Sequence, residues 1–288
     1  MKKIMFVLVL ATVFAAACDR LFADAVAIVD WKWDDATERR YTVNSATPGT
    51  LNLQLGSSLT TTAYDPAWVT VDGRKCADFS NQSVGLTYGK ASSSWTSALY
   101  ATLAPSTYTI EMIFALQTVP VVGDWTSNYP PSLLTLVDTT NAAVVYQVRC
   151  TGTSINYITA GGTISVDTAG TAYEIAANDW LYLSVTYDGA EAVMTVYNMT
   201  KDKYGQVASE TVGSLGVWTT GDAGAIAVGA EVTTTGTYRR SIDGLIDEVK
   251  ISSGVVDEAD RLVIVPEPAT MTILAIGGIC LFRKRRNA

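Results

Sequence analysis

The chain has 288 residues, a net charge of −8, 48% hydrophobic and only 17% charged residues, and no His. The lack of His removes the commonest general base, the commonest zinc ligand and the hinge of any Ser-His-Asp or Cys-His triad. With +1 on residues 1–25 and +3 on residues 266–288, the body between carries −12. That argues against binding a nucleic-acid backbone and is compatible with divalent cations or with solubility outside the cell.

Met1-Lys2-Lys3 opens the chain, followed by a 14-residue apolar run over 4–17 and a short segment ending Ala23-Asp24-Ala25. A positive start, an apolar middle and small residues at −3 and −1 are the parts of a secretory signal helix, cut after Ala25 by signal peptidase. Cleavage after Ala17 is an alternative. As a helix the run reaches about 21 Å, short of a ~30 Å hydrocarbon core.

The body is rich in Thr, Ser, Ala, Gly and Val, and its apolar residues recur with period 2. That predicts strands over 75–79, 108–116, 133–137, 144–150, 154–158, 180–187, 192–197, 225–229 and 245–251, with one helical turn over 255–261. Asp188-Gly189-Ala190-Glu191 reads as the turn of a hairpin over 180–198. Turn signals every eight to fifteen residues predict an all-β, two-sheet antiparallel sandwich of the jelly-roll kind. No linker splits it, so 26–265 reads as one domain.

The C-terminal segment, 266–288, starts Pro266-Glu267-Pro268, continues through a 12-residue apolar stretch over 271–282 and ends Arg283-Lys284-Arg285-Arg286. The stretch is near 18 Å as a helix, a short apolar helix followed by charges that stay inside. The order of parts strongly resembles the PEP-CTERM sorting signal of Gram-negative bacteria that make exopolysaccharide. The resemblance implies recognition by an exosortase-type membrane protease, transient contact with the inner membrane, removal of the tail and delivery to the cell surface or matrix.

Of the four Cys, Cys18 falls in the signal and Cys280 in the tail. Cys76 and Cys150 remain, as one disulfide of an exported domain or as two buried thiols.

A second resemblance lies in the body. Tyr108-Thr109-Ile110-Glu111, the run from Trp180 through Thr186-Tyr187-Asp188-Gly189, Ala227-Val228-Gly229 and Gly244-Leu245-Ile246-Asp247-Glu248-Val249 follow in order. Together they look like the laminin-G-like, concanavalin A-like jelly roll of bacterial surface proteins. Asp72-Gly73-Arg74-Lys75-Cys76-Ala77-Asp78-Phe79 resembles its early strand, with Cys76-Ala77 departing from the pattern.

Period 2 places Leu245, Asp247, Val249 and Ile251 on one face. A carboxylate in an apolar row needs a metal or backbone N–H groups. The resemblance implies that a calcium ion can sit there, with Asp247, Asp30 and the carbonyl of Gly73 as ligands. If so, chelation lowers the melting temperature.

Catalysis is not expected. The Glu-x-Asp-x-x-Glu spacing that brings carboxylates to one face around a glycosidic bond is absent. Glu111 reads as a lone, solvent-facing acid, and Trp180 as packing. Sugar binding would use exposed aromatic faces with nearby amides. Trp125, Asn128 and Tyr129, in the loop 117–131, are the candidates. The expected function is that of an exported, non-catalytic surface or matrix protein for adhesion or structural interaction with a polysaccharide or surface protein. A carbohydrate-binding module is the alternative.

Overall fold

In the computed structural model, residues 25–33, 41–42, 45–46, 51–55, 66–80, 86–88, 102–103, 105–120, 131–171, 174–201, 207–211, 224–235, 238–239, 241–257 and 260–263 are described. The signal segment 1–24, Trp125, Asn128, Tyr129 and the sorting motif with Pro266, Glu267, Pro268, Arg283, Lys284, Arg285 and Arg286 lie outside them.

Among the described residues, eighteen strands run in chain order. They are β1 (Val26–Lys32), β2 (Tyr41–Thr42), β3 (Leu53–Leu55), β4 (Ala67–Val71), β5 (Arg74–Asp78) and β6 (Leu86–Tyr88). Then come β7 (Tyr108–Leu116), β8 (Ser132–Asp138), β9 (Ala143–Thr151), β10 (Ser154–Thr159), β11 (Gly162–Asp167) and β12 (Trp180–Tyr187). The series closes with β13 (Glu191–Asn198), β14 (Val207–Thr211), β15 (Gly224–Val228), β16 (Glu231–Val232), β17 (Tyr238–Arg239) and β18 (Gly244–Ser253).

Sixteen of them form the two-sheet antiparallel jelly-roll sandwich that the period-2 pattern predicts, and β16 and β17 pair with each other. The first sheet has the order β14-β13-β12-β7-β18-β5-β4, and β1 joins it beside β18. The second has the order β11-β10-β9-β8-β15-β6-β3-β2. The chain crosses between the sheets several times, so the central neighbours β7 and β18 come from distant parts of the chain. Along its other edge β18 meets β5 first, at Leu245 and Ile246, and then β1, from Glu248 onward.

Alternation decides what is inside. Ile110, Met112, Phe114, Leu181, Leu183, Val185, Val249 and Ile251 of the first sheet face Leu134, Leu136, Val148, Ile155, Ile164 and Val166 of the second. Four tyrosines bridge the sheets. Tyr108 lies 5.9 Å from Tyr146 and 5.4 Å from Tyr187 between ring centroids, and its hydroxyl hydrogen-bonds that of Tyr157. Burial, with the Tyr108 phenol beside it, holds the Tyr157 phenol well above its ordinary pKa.

Gly229 shows how tightly the layers meet. Its φ is +73°, and a Cβ there would fall 2.3 Å from the Phe79 ring. Its N–H donates to Leu133 O at 2.8 Å, while its carbonyl accepts from Ile242 N–H at 2.9 Å, joining β8 to the approach of β18.

The expected turn after β18 is one tight turn, closed by Asp260 N–H donating to Asp257 O at 2.9 Å.

Candidate functional site

Of the three residues expected to share calcium, Asp247 is placed by a bulge in β18. The β18–β7 register passes from Ile246 opposite Phe114 to Glu248 opposite Ile113, leaving Asp247 with no partner on β7. A bulge inserts one residue and reverses the alternation. Ile246, Val249 and Ile251 therefore point into the core, while Leu245 joins an apolar cluster on the outer face. The single row of Leu245, Asp247, Val249 and Ile251 does not form.

Asp247 finds an internal cation. Arg74 Nη1 donates to its Oδ2 at 2.5 Å, and the same guanidinium lies 5.4 Å from the Trp180 ring centroid. Trp180 Nε1–H in turn donates to Asp72 Oδ2 at 3.2 Å. Asp72 and Gly73, with φ of 52° and 79°, make the tight β4–β5 turn that carries Arg74 to this point. Trp180 is buried, as packing, with its ring covered rather than open to a sugar.

Asp30 sits elsewhere. It faces out from β1, opposite Lys250, with Lys32 Nζ 3.4 Å from its Oδ2 and 3.0 Å from Glu248 Oε1. Burial raises the Glu248 carboxyl to about 7, only partly offset by Lys32 and reinforced by Asp30. Burial works against the Lys32 ammonium, but Glu248 and Asp30 hold its pKa above the ordinary value. Among the described residues no three of His, Cys, Asp and Glu stand together as a metal site. Of the residues expected to share calcium, Asp247 meets Arg74 and Asp30 meets Lys32, while Gly73 lies in the β4–β5 turn.

Of the two alternatives for the cysteines, the structure has the buried thiols and not the disulfide between Cys76 and Cys150. Cys76 and Cys150 are both free and buried. Cys76 lies in the outer cluster of the first sheet, whereas Cys150 faces the core from the second. Opposite sides of a sheet keep the sulfurs apart. Burial pushes the Cys76 thiol up to about 12, with Asp247 and Asp78 adding to it, and burial alone does the same at Cys150.

Glu111 corrects a further expectation. It is fully buried at the centre of β7. Its Oε1 accepts from Tyr182 Oη and from the Leu262 amide, each at 2.8 Å, and Lys250 Nζ lies 3.7 Å from Oε2. The neighbouring Tyr182 phenol is held above its ordinary pKa by burial and by this carboxylate. Period 2 had shown that Glu111 faces out; nothing local showed that residues 260–263 cover it.

The second sheet offers a different surface. The register aligns outward residues across β8, β9, β10 and β11 in two rows. One runs Ser132, Arg149, Asn156, Ser165; the other runs Thr135, Gln147, Ile158, Thr163. With strands ~4.8 Å apart, each row is about 14 Å long. Thr163 and Ser165 are exposed, Arg149, Asn156 and Ile158 half-buried, and Ser132, Thr135 and Gln147 form a buried floor. Gln147 Nε2 donates to Ser132 Oγ at 2.6 Å and Thr135 Oγ1 at 3.3 Å, while its Oε1 has no partner among the described residues. Asn156 Nδ2 donates to Thr151 Oγ1 at 2.9 Å. A solvent face usually carries many Lys and Glu; these two rows hold hydroxyls, amides and one guanidinium.

No curated protein matches the sequence. Among solved structures, domain 4 of an extracellular GH43 arabinanase from Geobacillus stearothermophilus, in complex with arabinotriose, is similar at 14% identity and a TM-score of 0.46, over 83% of this chain and 97% of that one. The CBM40 of the Ruminococcus gnavus IT-sialidase is similar at 12% identity and a TM-score of 0.45, over 64% and 95%. The LG1-3 region of the laminin alpha2 chain is similar at 11% identity and a TM-score of 0.37, over 55% and 29%. Residues 265–286 match the PEP-CTERM protein-sorting motif. The chain therefore carries an export and sorting signal behind an all-β sandwich.

Proposed function

We propose that the mature protein is a non-catalytic surface or matrix protein that attaches to hydroxyl-rich polysaccharide through the outer face of its second sheet. The observation that carries this reading is the pair of polar rows on that face, where Thr163 and Ser165 are exposed and Arg149 and Asn156 half-buried. Beneath them the buried Gln147 amide donates to Ser132 and Thr135 and holds the floor of the rows in place. Hydroxyls, an amide and a guanidinium at a surface are suited to exchange hydrogen bonds with sugar hydroxyls. The sorting motif delivers the protein to where such polymers lie, after an exosortase-type protease removes the tail.

The chain divides, on this reading, into a signal peptide over 1–25, a binding domain over 26–265 and a sorting tail over 266–288. Trp125, Asn128 and Tyr129, outside the described residues, precede Ser132 in the chain and are the aromatic and amide groups assigned to stacking on a sugar. A binding face that does not depend on calcium is supported by Arg74, which neutralises Asp247. A non-catalytic role is supported by the commitment of two acids, Asp247 to Arg74 and Glu111 to Tyr182 and Leu262.

A glycan array with wild-type protein tests the reading. Binding to a defined polysaccharide is expected, reduced at least several-fold by Arg149→Ala, Asn156→Ala or Trp125→Ala in folded protein. Binding that survives all three substitutions, or no binding to any glycan, overturns it.

A further inference from the structure

The last described residues of the chain, 260–263, are docked on the outer face of the first sheet. Leu262 N–H donates to Glu111 Oε1, and Lys250 Nζ donates to Asp260 O at 3.1 Å. Leu262 and Val263 pack against the cluster of Ile113, Trp180, Tyr182 and Leu245. The clamp is built around a carboxylate with no exposure of its own. Such a group depends on its donors, and one of them is the strap's own amide.

The sorting motif starts at residue 265, two positions after Val263. Pro266 is three positions beyond Val263, at most about 10 Å of chain. A docked strap therefore limits the reach of the sorting motif from its anchor to that length. The next fixed point back is Val256, whose N–H donates to Thr109 Oγ1 at 3.0 Å. Releasing the strap moves the anchor back to Val256, ten positions before Pro266, a tether of up to about 35 Å.

We propose that the strap over 260–263 is a docking element that controls access of the tail-removing membrane protease to the sorting motif, with Glu111 as its latch. A membrane-embedded protease must take the tripeptide into its own site while the apolar stretch lies in the bilayer. A domain held within about 10 Å obstructs that approach; an undocked strap clears it. After cleavage the strap returns to Glu111, so the new C-terminus lies on the sandwich. The inference is independent of the polysaccharide reading, since it concerns the other sheet and a different partner.

The test is a pulse-chase of full-length protein in cells that carry the protease. Two variants undock the strap, Glu111→Gln and the pair Leu262→Gly with Val263→Gly; a third inserts a Gly/Ser spacer of about eight residues after Ile264. Hydrogen exchange reads the latch: the Leu262 amide is expected to be protected in wild type and in the spacer variant, and unprotected in the undocked variants, with the core amides of β7 and β12 protected in all. Tail removal is expected to run several-fold faster in the undocked and spacer variants than in wild type, with no further gain when they are combined. Equal rates in wild type and the spacer variant overturn the proposal, as does an unprotected Leu262 amide in wild type.

Discussion

Arg74 and Asp247, 173 positions apart, form an ion pair with Nη1 to Oδ2 at 2.5 Å beside the covered face of Trp180. The β4–β5 turn carries the guanidinium and the β18 bulge carries the carboxylate, so the pair ties the edge of the first sheet to its centre.

Stability should therefore be insensitive to calcium. The melting temperature is expected to be the same in EDTA and in millimolar calcium, and a drop of several degrees in EDTA would show that a cation shares Asp247. Arg74→Ala removes one partner of a half-buried pair and is expected to cost about 1–2 kcal/mol in urea unfolding.

Glu248 should make stability fall with rising pH in the acid-to-neutral range. Its carboxyl stands at about 7 in the fold against an ordinary 4.5, so protonation favours the folded state. Its contribution is fully present below about pH 4.5 and is lost as pH rises through about 7. Allowing for solvent screening, the change amounts to about 1 kcal/mol. Glu248→Gln should remove that component of the slope, read as the difference between wild-type and variant urea midpoints from pH 4.5 to 8.

Gly229→Ala should be among the most damaging single changes. The new Cβ meets the Phe79 ring and the φ of +73° is unfavourable for any L side chain. A loss of about 2–4 kcal/mol is expected. Phe79→Leu combined with it should recover part of that, because the clash goes while the backbone strain remains.

The two thiols of the body should be inert and unlinked. With both pushed up to about 12, thiolate is scarce at neutral pH. A maleimide or aromatic disulfide reagent is expected to leave Cys76 and Cys150 unmodified in the native protein and to label both in urea. Reductant should not shift the melting temperature; a fall of more than about 5 °C would reveal a disulfide.

Much of the architecture was legible residue by residue. The strand expected over 108–116 is β7 with those bounds, and the hairpin over 180–198 pairs Tyr187 with Ala192 around the Asp188 turn. There the Asp188 carboxylate accepts from the Ala190 and Glu191 amides at 2.9 and 2.8 Å. Signals of this kind are local, since alternation and turn chemistry need only a few neighbouring residues. Strands β1 to β4, β6, β11, β14, β16 and β17 were not among those expected: β11, with Thr163, Ser165 and Asp167 exposed, keeps few apolar residues on one face only.

The sequence by itself determined the compartment and the class of fold, because export signals are read along the chain and period 2 is a property of the backbone. It also determined that no His takes part in any chemistry. Only the tertiary structure decided what the charged residues do. A bulge turned Asp247 toward Arg74, an outer strap buried Glu111, and the two sheets kept Cys76 from Cys150. Each outcome depends on which distant strand arrives alongside, and that is fixed by the packing of two sheets rather than by any local pattern.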